Sequence, residues 1–226
     1  MMTEEKREEI YQEAKELYFH RTCTQDVCEA QRRFREVGSY KHAVSFVGKC
    51  GMLLQFSVGE TVAFGHSGTK ALRWKVIDER GKLRMLLAQD FVAYRAYNDT
   101  LTDTSWKTSS VRAWLNGVFL TKSFTSVERM MIAGNITKTE HNADYYTNAG
   151  ADAFDKVFLP SKAEIERYFP NQSDRKMGAW WWLRDPGCNL LSAMSVYNDG
   201  SIYSTGIHVI YGDGGVRPAL WVLLGI

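Results

Sequence analysis

Gly178-Ala-Trp-Trp-Trp-Leu-Arg-Asp-Pro-Gly187 and Gly214-Gly-Val-Arg-Pro-Ala-Leu-Trp221 bracket the part of the chain whose reading decides the fold. Side chains alternate across a strand, so Trp180 and Trp182 share one face and Trp181 takes the other. Arg184 and Arg217 flank strand-like apolar segments, and a half-buried arginine needs a carboxylate or several carbonyl acceptors. The reading is therefore structural, with Trp180, Trp182, Arg184, Arg217 and Trp221 anchoring a frame and clamping its loops. Between the two ends, residues 188–212 are rich in Tyr, Asn, Ser, Gly and Ile and hold no Lys, Arg or Glu. Tyrosine gives rigid contact area while Ser, Asn and Gly adapt, a mixture that binding surfaces share. An ordinary hairpin has the same composition, so the residues alone leave both readings open.

Working outward, residues 1–50 read as three short helices. Ile10, Ala14 and Leu17 recur at helical spacing. Asp26 is expected to cap a second helix carrying Val27, Ala30, Phe34 and Val37, which Gly38 stops. A third runs from Tyr40 through Ala43, Phe46 and Val47 to Cys50. From residue 51 the pattern becomes strand-like. Glu60–Phe64 is a strand, and Leu72–Ile77 and Lys82–Ala88 form a hairpin about the turn Asp78-Glu-Arg-Gly81. Helix returns at Ser109–Leu115, where Gly117 is expected to end it. Thr125-Ser-Val-Glu128 and Ser161-Lys-Ala-Glu164 are capping boxes that open short helices through Met131 and Tyr168. Residues 134–155 are polar and read as a long surface loop. Strands towards both ends of this region, with short helices between, describe an α+β domain whose first and last strands pair in one sheet. The expected organisation is a helical appendage over 1–50 and one domain over 51–226.

Composition removes several functions. The 28 Lys+Arg and 26 Asp+Glu leave a formal charge of +2, which offers no broad phosphate-binding surface, so a nucleic-acid partner is not expected. No apolar run reaches about 18 residues, and no membrane span is expected. The charged opening Met-Met-Thr-Glu-Glu-Lys-Arg lacks an apolar core behind it, so the expectation is a cytoplasmic protein with reduced thiols, export or association with a phage particle remaining open. Cys23, Cys28, Cys50 and Cys188 are too few and too scattered for a disulfide scaffold or zinc ribbon. The five histidines are isolated from one another, and no P-loop or nucleophile elbow is present. No cofactor and no metal are expected. An enzyme would have to use Cys188 as a loop thiol or Asp199, and Asp199 in Asn198-Asp-Gly-Ser201 reads first as a turn residue.

Two resemblances add to this. Ala14 to Leu17, Ala30, Phe34, Gly38-Ser-Tyr-Lys41, Ala43 and Cys50 resemble one unit of a bacterial tetratricopeptide-like helical repeat, which implies a spacer or docking surface. The order Trp-Trp-Leu-Arg-x-Pro-Gly, Tyr-x-x-Asp-Gly-Ser-Ile and Gly-Val-Arg-Pro-Ala-Leu-Trp resembles a widespread bacterial and phage domain of unknown function. Upstream, Trp74-Lys-Val-Ile-Asp78, Leu86-Leu-Ala88, Tyr97-Asn98, Trp106, Ser110–Asn116, Phe119 and Val157–Ser161 extend it, so that it spans roughly 55–226. That domain is similar to the C-type-lectin-like fold, in the branch of the formylglycine-generating enzymes and of the variable proteins of diversity-generating retroelements. The resemblance implies an exposed, diversified ligand-binding face at Asn189, Leu190, Ser192, Met194, Tyr197, Asn198, Tyr203, His208, Ile210 and Tyr211. Of these, Met194 is not reached from an asparagine template codon. The chain lacks the calcium-lectin motifs and the paired late cysteines of the oxidases, which leaves Cys188 alone.

The sequence therefore leads to a non-enzymatic display module that binds a protein or glycan through its C-terminal surface. The alternatives are an enzyme of the formylglycine-generating-like branch or an uncharacterised hydrolase, and an assembly subunit of a phage or cell envelope docked by its N-terminal helices.

Overall fold

A computed structural model describes residues 2–225. The first three helices are α1 (Glu4–Phe19), α2 (Thr24–Glu36) and α3 (Ala43–Leu54). Strands β1 (Thr61–Ser67), β2 (Lys70–Arg80), β3 (Leu83–Ala88) and β4 (Ala93–Tyr94) follow. Next come α4 (Ser110–Trp114), α5 (Leu120–Ser123) and α6 (Ser126–Met131), with β5 (Ile132–Ala133), β6 (Asn135–Thr137), β7 (Ala153–Asp155) and β8 (Val157–Phe158). The chain ends with α7 (Lys162–Tyr168), β9 (Trp181–Pro186), β10 (Ser192–Val196), β11 (Ile202–His208), β12 (Gly215–Val216) and β13 (Ala219–Leu223). The fold is α+β with a helical N-terminal segment.

One sheet runs β1-β2-β3-β13-β5, with β8 also paired to β13, so early and final strands meet as the sequence predicts. A second sheet has the order β11-β10-β9-β12-β4 and carries the candidate site. Within it β10 is antiparallel to both β9 and β11, while β12 is parallel to β9 and antiparallel to β4.

The chain divides into two compact units. The first comprises Met1–Val62, Lys75–Met85 and Val222–Ile226; the second comprises Ala63–Trp74 and Leu86–Trp221. The residue 50/51 boundary expected from sequence falls inside α3, which runs on to Leu54.

In the first unit the helices close over Ile10, Tyr11, Ala14, Val27, Ala30, Phe34, Val37, Ala43, Phe46 and Cys50. These are the residues at helical spacing, because three amphipathic helices gain stability only by burying their apolar stripes on one another. Phe34 and Phe46 stack with centroids 4.7 Å apart. Asp26 is not the N-cap of α2. It occupies the third helical position, and its carboxylate accepts from the backbone N–H of Thr22 and Cys23. Buried Arg84 donates to the carbonyls of Phe56 and Gly81 and pairs with Glu79 at 3.1 Å. Arg21 donates to the Leu224 carbonyl.

Two further expectations change in the second unit. Helix α4, capped by Ser109, does not stop at Gly117: a wide π turn over Leu115–Phe119 carries it into α5. Asn116 explains this course, since its side chain donates to the Val157 carbonyl and accepts from the N–H of Lys156, tying the turn to the β7–β8 segment. Residues 134–155 are not merely a loop, because β6 and β7 pair within them and Asn142 is buried. Both capping boxes form as read, at Thr125 with Glu128 and at Ser161 with Glu164.

Candidate functional site

The site rests on β9, every residue of which is buried. Trp180 and Trp182 lie on one face with their rings edge to face, centroids 4.7 Å apart. Trp182 donates its indole N–H to the Arg95 carbonyl, and Trp181, on the other face, donates to the Arg175 carbonyl. Trp181 and Trp182 are fully buried, whereas Trp180 is only half-buried. Gly214 passes against this pair so closely that a Cβ there would run into the Trp182 indole nitrogen and the Trp180 ring.

Two buried arginines bond to main-chain carbonyls of neighbouring segments. Arg184 donates to the carbonyls of Lys138 and Leu159 and pairs with Glu164 at 2.7 Å, joining β9 to the start of α7. Arg217 donates to the Ala88 carbonyl and lies over the Trp181 ring, 5.0 Å from its centroid. Burial pushes its pKa down to about 10. Trp221 is buried in β13. Beside Arg184, the Asp185 carboxylate accepts from the Lys162 N–H at 2.5 Å, and burial raises its pKa to about 6.

The β10–β11 pairing is interrupted. Ala193 faces Ile207 but Ser195 faces Tyr203, so Ser204, Thr205 and Gly206 bulge out opposite Met194. Gly206 makes this possible with φ +80°, and a Cβ there would meet the Ala193 carbonyl oxygen at 2.7 Å. The Thr205 carbonyl, turned aside from the ladder, accepts from the Cys188 N–H and the Ser192 hydroxyl. Asn142 supports the same place from behind, its amide donating to the carbonyls of Pro186, Gly187 and Ser204. Tyr145 shares a 2.8 Å hydrogen bond with the Thr205 hydroxyl. At the hairpin tip the Asp199 carboxylate accepts from the Ser201 N–H and hydroxyl, bonds that hold its pKa below the usual carboxylate value. Asp199 is thus a turn residue. Just inside the tip, the rings of Tyr197 and Tyr203 stack at 4.7 Å.

Two shallow concavities open on this surface. One, of about 340 Å³, is lined among others by Asn189, Ser192, Tyr203, Thr205, His208 and Tyr211. The other, of about 390 Å³, is lined by Trp180, Tyr197, Ile207, Tyr211 and Asp213. Ile207 and Tyr211 belong to both, so the two are lobes of one face.

Residues 82–224, from the β2–β3 turn to the end of β13, match the family model described as a domain of unknown function, DUF6273. The chain belongs to the DUF6273 family. No curated protein and no solved structure matches it. The DUF6273 match contains the whole candidate face, whereas helices α1–α3 precede it.

Within the DUF6273 domain the residues expected at a binding face separate into groups. Asn189, Tyr197, Tyr203, His208 and Tyr211 line the two lobes. Asn198 and Ile210 are exposed outside the lobes, and Leu190 is half-buried, its carbonyl accepting from the Thr104 N–H. Ser192 and Met194 are buried, because β10 is the inner strand between β9 and β11 and both of its faces are covered. Ser192 still reaches the floor of the first lobe, while Met194 lines a separate cavity beside Asp185. Thr205, Ile207 and Asp213 also line the lobes, Asp213 being a residue that the sequence suggests first as a turn former. For Thr205 and Ile207 the only signal in the sequence is the lack of Lys, Arg and Glu across 188–212. Cys188 lies in the first lobe with its sulfur 3.8 Å from the Ser192 hydroxyl. Among the described residues no cluster of His, Cys, Asp and Glu is arranged to hold a metal, and no helix is long and apolar enough to cross a membrane.

Proposed function

We propose that this DUF6273 protein is a non-enzymatic binding module that presents the 188–213 surface to a protein or glycan. The observation that carries the reading is the pair of neighbouring lobes, which gather tyrosines, a half-buried tryptophan and small polar groups beside a strand whose main chain is held by Asn142. Aromatic side chains on a rigid support give contact area at low entropic cost, and the bordering Asn, Ser and Thr supply adaptable hydrogen bonds. The finer proposal, which rests on the resemblance of the sequence motifs, is a C-type-lectin-like domain with a retroelement-diversified face. The exposed positions sit on a hairpin whose supporting contacts lie elsewhere.

The test is binding to glycan and peptide arrays by the whole protein and by the Tyr197→Ala, Tyr203→Ala and Tyr211→Ala variants. Each tyrosine that anchors a partner should cost about 2 kcal/mol or more in affinity. Unchanged binding by correctly folded variants overturns the assignment. For diversification, the neighbouring DNA should hold a reverse transcriptase gene and a near-copy of the 180–218 coding segment differing at adenines.

One observation favours a second reading. Cys188 and His208 line the same lobe, the pairing of residue types that a thiol-dependent enzyme uses. A Cys188 that reacts with a thiol probe at neutral pH much faster than a free cysteine supports it, and ordinary reactivity removes it.

A further inference from the structure

The second lobe has a narrower chemistry than the face as a whole. It is lined by Trp180, Tyr197, Tyr211 and Ile207, and Asp213 is the single charged residue lining it. No Lys, Arg or His lines it. The face of an aromatic ring is electron-rich and attracts a cation, tryptophan most strongly, and the attraction grows when the cation leaves water. A primary ammonium entering such a lobe would have to satisfy three N–H donors, and a guanidinium five. The lining offers one carboxylate and two phenol oxygens. A cation without N–H donors loses no hydrogen bonds on entry and meets three aromatic residues, an aliphatic one and one counter-charge. A neutral sugar, by contrast, needs many polar partners, and these are concentrated in the adjoining lobe at Asn189, Ser192, Thr205 and His208.

We propose that the lobe formed by Trp180, Tyr197, Tyr211, Ile207 and Asp213 is an aromatic cage for a quaternary ammonium group. The inference rests on the reading of this surface as a ligand-binding face and names the chemistry of one of its two lobes. The neighbouring polar lobe would then take the remainder of the molecule that carries the ammonium.

The experiment is calorimetric titration of the full chain with tetramethylammonium, with choline, and with the uncharged analogue of choline in which a tert-butyl group replaces the trimethylammonium. Saturable binding of both cations near about 1 mM is expected, with the uncharged analogue about tenfold weaker or more. Tyr211→Ala, at a residue 52% exposed and so outside the core, should weaken choline by about tenfold. Asp213→Asn should weaken it several-fold while leaving the uncharged analogue unaffected. Trp180→Phe, which keeps an aromatic ring against Trp182, should weaken choline less than Tyr211→Ala does. Equal affinity for charged and uncharged probes, no binding of either cation, or binding indifferent to Tyr211 and Asp213 overturns the proposal. If array binding depends on Tyr203 while no cation binds, the cage is wrong and the binding face stands. If neither is seen, both fall.

Discussion

Strands β9 and β11 flank the same strand β10, yet they solve opposite problems. Every residue of Trp181–Pro186 is buried, including an arginine and an aspartate, whereas Ile202–His208 is half-exposed up to its exposed terminal histidine and carries no Lys, Arg, Asp or Glu. Strand β9 satisfies its polar groups inward, Arg184 on two carbonyls and Glu164 and Asp185 on the Lys162 N–H. Strand β11 is held largely through its main chain, by carbonyls at Ser204 and Thr205, with one side-chain bond from the Thr205 hydroxyl to Tyr145. A buried strand gains stability from the identity of its side chains, and a presented one from their irrelevance to the support. The contrast predicts where substitutions are felt.

The largest effect should come from Arg184→Ala, which removes a buried guanidinium from two carbonyls and from the partly exposed Glu164 carboxylate, which keeps its bond from the Ser161 N–H. Loss of these bonds should cost roughly 3 kcal/mol, to be read from urea unfolding. Gly214→Ala follows, since the added methyl drives into Trp180 and Trp182. About 1–3 kcal/mol of destabilisation is expected, with a changed near-ultraviolet tryptophan spectrum.

The third prediction concerns Asp185. Its folded pKa of about 6 lies above the ordinary carboxylate value of 3.8, because burial disfavours the charge. In that window the folded protein holds more protons than the unfolded chain, so this residue makes stability fall as pH rises from about 4 to 6. Other carboxylates, such as Asp26 and Glu128, have lowered values and slope the other way, losing their contribution as pH falls. The informative quantity is therefore the difference between the parent and Asp185→Asn. It should vary across that window and be flat elsewhere, and a constant difference would contradict the assignment.

The smallest stability change belongs to Tyr211→Ala on the presented side, within about 0.5 kcal/mol. A thermal unfolding midpoint shifted as far as that of Gly214→Ala would erase the distinction between the two strands.

What the sequence made legible follows from range. The helical stripes through Ile10, Phe34 and Phe46, the boxes at Thr125 and Ser161, and the alternation of Trp180, Trp181 and Trp182 depend on neighbours a few residues away, and they appear in the structure. Features set by distant partners did not show. Asn116 carries the helix past Gly117 by bonding to the chain some forty residues on, and Asn142 is buried only because three carbonyls of β9, its following turn and β11 converge on it. Ser192 and Met194 read as surface because an inner strand covered on both faces carries no alternation to reveal it. Asp26 supports the start of α2 from the third helical position rather than from the N-cap, because its carboxylate reaches back to the N–H groups of Thr22 and Cys23.

Asn142 has one more consequence. Its amide grips only peptide oxygens, at Pro186, Gly187 and Ser204, and peptide oxygens are the same whatever amino acid bears them. Exchanging the Ser204 side chain therefore leaves this hold on the hairpin intact.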